Sequence, residues 1–293
     1  MDSLRIETFH KLTDVQKQFL KQKYPDKFDF YNKKIQNLYF NNNIIMKNEK
    51  NKIPLVLYKT GPQNLLSNNI KKLIEDNCKI LKCTYVYFND NECRDFIQYN
   101  FDNNVLKAYD SLIPTAFKAD LFRYCILYKR GGIYGDLTQL NLRYININKH
   151  NVDMLIVKDR PVQEMLNVIQ ISFMATIPNN NFLKYLINQI SDDILNKRKG
   201  NNPLDITGPR AFGRYFLKYF NINDIKSNLN TYTGLNQENY KINMPFKNIG
   251  DYISDINSGE VYVKNYLANH KKILYNLKNI HYDQLWHENN IFK

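Results

Sequence analysis

The sequence predicts an α/β domain built on a mostly parallel central sheet with helices on both faces. Short apolar, β-prone runs alternate with segments of helical periodicity from residue 53 onward, as parallel sheets with crossover helices require. A chain of 293 residues with 43% hydrophobic content has the material for a sizeable core. Charged residues also stand inside apolar segments at two adjoining places, in Lys118-Ala-Asp-Leu-Phe-Arg-Tyr124 and in Gly131-Gly-Ile-Tyr-Gly-Asp-Leu137. Ligands of such sheets bind beyond the carboxyl ends of the strands, and Asp136 falls at such an end.

The elements follow in order. Residues 1–50 are polar and read as a helical accessory segment from Thr13 onward, with Pro25 as a break and Asn41–Asn43 as a loop. Residues 51–293 form the main domain. Ile53-Pro-Leu-Val-Leu-Tyr-Lys59 suits a buried first strand, and Thr60-Gly-Pro62 ends it with turn chemistry. Ser67 is placed to cap a helix running to about Cys78, residues 84–88 (TYVYF) read as a second strand, and Asn89 starts the next helix. After the helix that carries Asp120 and Arg123, Gly131 and Gly132 permit the left-handed backbone that ends a helix and begins a strand. Residues 153–158 and 168–175 are strand-like, Asn180 caps an amphipathic helix to about Lys197, and Thr207-Gly-Pro-Arg210 opens a helix to about Phe220. Residues 239–246 and 261–263 are short strand candidates, and residues 282–287 form a turn or short helix.

The formal charge of +13 favours an anionic partner: a nucleotide diphosphate, nucleic acid or an acidic surface. Abundant Asn, Ile, Lys and Tyr are the residues of A+T-rich codons, which fits a large virus or an A+T-rich protist and accounts for part of the basicity. Cys78, Cys83, Cys93 and Cys125 form no C-x-x-C pair, so neither a disulfide framework nor a zinc site is expected, and a reducing compartment is the simpler reading. Residues 1–25 carry charges throughout, which predicts no signal peptide and no membrane anchor, hence a cytoplasmic location, the host's if the source is viral.

Asp120 and Arg123 lie i,i+3 on one helix face, so they pair with each other or converge with Asp136 on a shared cleft. The strings K-A-D-L-F-R-Y and G-G-I-Y-x-D resemble the sugar-donor region of glycosyltransferase family 32, which is itself related to the large clostridial glucosylating toxins. The resemblance implies a GT-A type, Rossmann-like nucleotide-sugar fold and a retaining hexosyltransferase. Its donor would be a nucleotide sugar, UDP-linked rather than GDP-linked, and its acceptor a hydroxyl on a glycan, protein or small molecule. By the same resemblance Asp120 and Arg123 bind hydroxyls of the transferred sugar and Tyr134 lies near ribose and phosphate. Asp136 touches ribose or sugar and orients Mn2+ or Mg2+. Lys118 belongs to the donor-binding string, and Asp159 lies near the acceptor or the reacting sugar, though a turn Asp before Pro reads equally well. Thr207-Gly208-Pro209 matches the family's T-G-P, read either as an anion-facing helix start or as an ordinary Pro-initiated helix. Trp286 folds over the diphosphate or anchors packing, and His287 is a candidate late metal ligand.

Three positions depart from the family's pattern. Thr138 stands where the second Asp of Asp-x-Asp is expected and brings no charge for a hard cation. The outcomes open to it are weak metal binding, neutralisation by Lys or Arg in place of metal, or ligand binding without catalysis. Gly135 replaces a larger apolar residue and gives room in the donor pocket, and Ile171 occupies the place of an Asn. Two rivals follow: a degenerate relative that binds nucleotide sugar or glycan without turnover, and a basic nucleic-acid module. The second has no recognisable motif, so no nucleic-acid partner is expected.

Overall fold

A computed structural model describes residues 14–23, 25–26, 53–62, 66–160, 168–265 and 281–293. The chain divides into two compact units, Met1–Glu49 and Lys50–Lys293. In the first, helix α1 (Asp14–Lys23) is described, and the loop expected at Asn41–Asn43 lies outside the described residues.

The second unit begins as the sequence suggests. Strand β1 (Val56–Thr60) pairs in parallel with β2 (Thr84–Phe88) on one side and β3 (Gly132–Gly135) on the other. Parallel neighbours need a long crossover. Helix α2 (Asn68–Leu81) supplies the first, and α3 (Asp90–Asn100), α4 (Asn103–Ser111) and α5 (Thr115–Arg130) supply the second. Their starts are set by short polar side chains: Ser67 caps α2, Asn89 and Glu92 form a capping box on α3, and Asp102 accepts from the amides of Asn104 and Val105.

Gly131 and Gly132 let α5 turn directly into β3. Gly131 has φ +61°, and a Cβ there would lie 2.6 Å from the Pro178 nitrogen; Gly132 has φ +99°, and its Cβ would lie 2.9 Å from the Val56 carbonyl oxygen. Both the backbone region and the space exclude a side chain.

The expectation of a mostly parallel sheet is overturned beyond β3. Strand β6 (Ile169–Thr176) is antiparallel to both β3 and β5 (Met154–Lys158). Strand β8 (Asn239–Asn248) runs parallel to β5 but antiparallel to β7 (Asn228–Thr233) and β9 (Tyr252–Asp255). Strand β10 (Val261–Lys264) is antiparallel to β9 and to β4 (Leu140–Asn141). The physical reason is connection length. Residues 234–238, 249–251 and 256–260 join their strands through turns, and a turn can only reverse direction, whereas a parallel pair needs a crossover of a dozen or more residues. The parallel β5–β8 pair has its crossover in α6 (Asn181–Leu195) and α7 (Pro209–Phe220).

The mixed sheet is strongly curled, into a half-barrel, and its connectivity requires the curl. The strand order is β2-β1-β3-β6-β5-β8-β9-β10-β4, so six strand spacings separate β3 from β4. Laid flat, those spacings measure roughly 29 Å. Residues 136–139 alone join β3 to β4 along the chain, and fully extended they reach roughly 18 Å at most. The sheet must bend until its far edge meets the segment that follows β3. Register shifts between Leu155 and Val157 and between Val261 and Val263 add local bends. Leu57, Ile133, Leu155, Phe173, Phe246 and Val263 meet in one buried cluster.

Candidate active site

The segment that closes the curl is the one that carries Asp136. Its amide donates to the Ser172 carbonyl (2.9 Å), which ties the residue after β3 to the neighbouring β6. From α5, Arg123 reaches across: its Nη2 lies 3.0 Å from Asp120 Oδ1 and 3.1 Å from Asp136 Oδ1. Its Nη1 donates to the carbonyl of Ile171, and the guanidinium sits 4.4 Å above the Tyr134 ring. Asp120, Arg123 and Asp136 therefore share one locus, bridged by a single guanidinium. The Arg123 side chain is only 5% exposed, whereas those of Asp120 and Asp136 are 16% and 33% exposed. Arg123 is the organiser and Asp136 the member that faces outward.

The electrostatics follow from that burial. Burial pushes the Asp120 carboxyl up to about 7, reinforced by the negative charge of Asp136 and opposed by Arg123 and by the Thr207 hydroxyl. Burial by itself disfavours the Arg123 charge, but Asp136, Tyr134 and Asp120 more than offset it, so the guanidinium stays charged. Burial also lifts the Tyr134 phenol far above its ordinary range, which keeps it neutral.

A second cation comes from β1. Lys59 is 1% exposed, and its Nζ donates to the main-chain carbonyl of Asp136 at 2.6 Å. Burial pulls the ammonium down to about 8, opposed by Asp136 and by the neighbouring Cys78 and Cys83 thiols. Sequence reasoning missed Lys59, although the signal was present: a lysine at the end of an apolar strand needs a partner as much as Asp120 does.

Thr207 joins the locus through its hydroxyl, which donates to Asp120 Oδ2 (3.0 Å), while its carbonyl accepts from Tyr124 Oη (2.7 Å). Gly208 is the buried N-cap residue of α7, and Pro209 is its first helical residue. Asp159, at the end of β5, connects more remotely. Its Oδ1 accepts from Asn248 Nδ2 (2.7 Å), Asn248 Oδ1 accepts from Asn265 Nδ2 (3.0 Å), and Asn265 Oδ1 accepts from Gln139 Nε2 (3.3 Å). Gln139 Nε2 also donates to Ser172 Oγ (2.8 Å). This run of buried amides ties the Asp136 turn to the β5 and β8 ends, and the sequence offered no local sign of it, because its members come from four separate segments.

Lys118, Trp286 and His287 are not brought to Arg123 by any described contact. Lys118, two residues from Asp120 on α5, faces the opposite way, with its Nζ 5.3 Å above the Tyr109 ring. Trp286, in α8 (Tyr282–His287), gives its indole N–H to the Lys199 carbonyl (3.1 Å), and the Lys199 ammonium lies 4.2 Å above its ring. His287 is exposed, 3.8 Å from Asp283.

Several of the groups expected to hold Mn2+ or Mg2+ are already engaged by neighbouring side chains. One oxygen of Asp136 is engaged by Arg123 and its carbonyl by Lys59, Thr138 is neutral and buried, and His287 lies beside Asp283 and the Trp286 ring. Among the described residues no cluster of three or more His, Cys, Asp or Glu is arranged to hold a metal.

Residues 63–159 of the chain match the family described as "Glycosyltransferase sugar-binding region containing DXD motif". Among its relatives is the initiation-specific alpha-1,6-mannosyltransferase of Candida albicans, 28% identical over 164 residues, covering 45% of this chain and 43% of that protein. The enzyme of the same name from Schizosaccharomyces pombe is 25% identical over 140 residues, covering 41% and 35%. The chain thus matches less than half the length of these curated relatives. A solved structure, the PaToxG glycosyltransferase, superposes with a TM-score of 0.42 at 15% identity, covering 70% of this chain and 80% of that one.

Proposed function

We propose that this chain transfers a hexose or N-acetylhexosamine from a nucleotide sugar, UDP-linked in preference to GDP-linked, to an acceptor hydroxyl with retention of anomeric configuration. The observation that carries the reading is the Arg123 bridge between Asp120 and Asp136 inside a matched sugar-binding region. Carboxylates with free lone pairs beside a fixed guanidinium are suited to the ring hydroxyls of a sugar. Departure of the diphosphate is the costly step, since negative charge grows on the leaving oxygen while the sugar becomes oxocarbenium-like. Fixed charges that need no reorganisation are the effective aid to it.

In this mechanism Asp120 accepts from sugar hydroxyls, Arg123 keeps both carboxylates in register, and Asp136 presents its solvent-facing oxygen to the donor. No side chain is assigned as general base, because a front-face route lets the departing phosphate take the acceptor proton. The acceptor remains a hydroxyl on a glycan, protein or small molecule. No described helix is long and apolar enough to cross a membrane.

The test is calorimetric titration with UDP-glucose, UDP-N-acetylglucosamine and GDP-mannose, followed by assay for released nucleotide and transferred sugar. Asp136→Asn is expected to lower turnover by roughly 100-fold or more in a protein that still folds, with its melting temperature lowered because the buried Arg123 loses a counter-charge. An unaltered rate removes Asp136 from the chemistry. Thr138 and Ile171 favour one alternative, a binding protein that has lost catalysis; saturable binding without turnover over long incubation is its signature.

A further inference from the structure

We propose that the Lys59 ammonium supplies from within the fold the positive charge that a divalent cation brings to an Asp-x-Asp turn, so that nucleotide-diphosphate binding at Asp136 is independent of metal. The inference rests on the nucleotide-sugar reading above. Three observations converge on it.

First, Lys59 is buried and its Nζ meets the Asp136 carbonyl at 2.6 Å, so the ammonium lies directly against the main chain of the turn. A charge in that position is screened far less than one in solvent. Second, Gly135 is the residue that makes room for it. A Cβ on Gly135 would stand 3.2 Å from Lys59 Nζ and 3.4 Å from Gln139 Oε1, so the larger side chain that the family resemblance places here would press on the ammonium. Third, Thr138 removes the second carboxylate, and Asp136 Oδ1 is already 3.1 Å from Arg123 Nη2. Asp120 and Asp136, the two carboxylates of the locus, are matched by two cations, the Arg123 guanidinium and the Lys59 ammonium, so a hard divalent ion arriving there finds its anionic oxygens already balanced. Gly135, Lys59 and Thr138, separate oddities along the sequence, are parts of one arrangement.

Lys59 does not contact the nucleotide in this account. It is a positioning residue that holds the Asp136 turn and balances its charge, so its test must separate charge from scaffolding. The full-length protein is titrated with UDP and UDP-glucose by calorimetry in EDTA and again in excess Mn2+. The expected dissociation constants agree within about 2-fold. Lys59→Gln keeps a hydrogen-bond donor but removes the charge, and it is expected to weaken binding in EDTA by roughly 10-fold or more. The double variant Lys59→Gln with Thr138→Asp is expected to regain affinity only when Mn2+ is present, a change of cation requirement that scaffolding alone does not produce. Loss of free Mn2+ signal in electron paramagnetic resonance provides a second readout: none for the unaltered protein, clear uptake for the double variant.

Binding by the unaltered protein that requires Mn2+ overturns the Lys59 assignment and leaves the nucleotide-sugar reading intact. Undiminished binding by Lys59→Gln in EDTA does the same. Failure to bind any nucleotide sugar in either buffer overturns the nucleotide-sugar reading, and this inference with it.

Discussion

At the scale of single residues, Asp120 shows how one side chain couples the site to pH. Its carboxyl is lifted from 3.8 to about 7, so over the interval between those values the native chain holds a proton that the unfolded chain has released. Stability from this group is therefore fully present below the ordinary carboxylate pKa and is lost as pH rises through about 7. Between pH 5 and pH 7 the unaltered protein is expected to lose roughly 2 kcal/mol more than Asp120→Asn does, measured as the difference in urea-unfolding slopes with pH. Parallel profiles for the two proteins remove the coupling. The triad of Asp120, Arg123 and Asp136 was legible in the sequence because charge inside an apolar segment demands a partner, and helical spacing already put two of the three on one face. Lys59 obeys the same rule but stands alone in its strand, and its partner is a main-chain carbonyl, which no side-chain pattern encodes. The amides of Gln139, Asn248 and Asn265 were illegible for a different reason: each is unremarkable locally, and only the fold makes them neighbours.

At the scale of elements, the passage from α5 into β3 decides where the site's two halves meet. Gly131 combines φ +61° with a Cβ position 2.6 Å from the Pro178 nitrogen, so Gly131→Ala strains the backbone and collides with the segment after β6 at once. The expected cost is roughly 2–4 kcal/mol, read from denaturant midpoints, with nucleotide affinity falling alongside because α5 carries Arg123 and β3 leads directly into Asp136. Midpoints within experimental error of the unaltered protein refute this account of the turn. Helix starts were well marked in the sequence by Ser67, Asn89 and Asn180, each of which caps its helix in the structure. Strands β7 and β9 were not read: β7 is the polar string NLNTYT, and β9 is only four residues long. Both derive their order from pairing with β8, a tertiary cause that local pattern does not carry.

At the scale of the whole molecule, alternation of strands and helices correctly indicated the parallel β2-β1-β3 portion and wrongly extended that pattern to the rest. Alternation specifies direction only where crossovers are long, and the later turns are short. The curled sheet that results depends on the polar interior that closes it. Asn265, 1% exposed, accepts from Gln139 and donates to Asn248 Oδ1 (3.0 Å) and the Gly250 carbonyl (2.6 Å), linking β10 to both flanks of the closure. Asn265→Leu removes three hydrogen bonds, of which Gln139 Nε2 and Asn248 Oδ1 keep other partners while the Gly250 carbonyl loses the Asn265 amide, and it is expected to destabilise the fold by roughly 1–3 kcal/mol in urea titration. A change below about 0.5 kcal/mol, the range of ordinary surface substitutions, rules out a closing role for this network.

The pairing of Trp286 with the 199 carbonyl has an optical corollary. Since the polypeptide holds one indole, emission excited at the red edge of aromatic absorption reports on a single address, the seating of the last helix. Far-ultraviolet dichroism averages over every element, so comparing the two signals during unfolding distinguishes local detachment of that helix from collapse of the sheet.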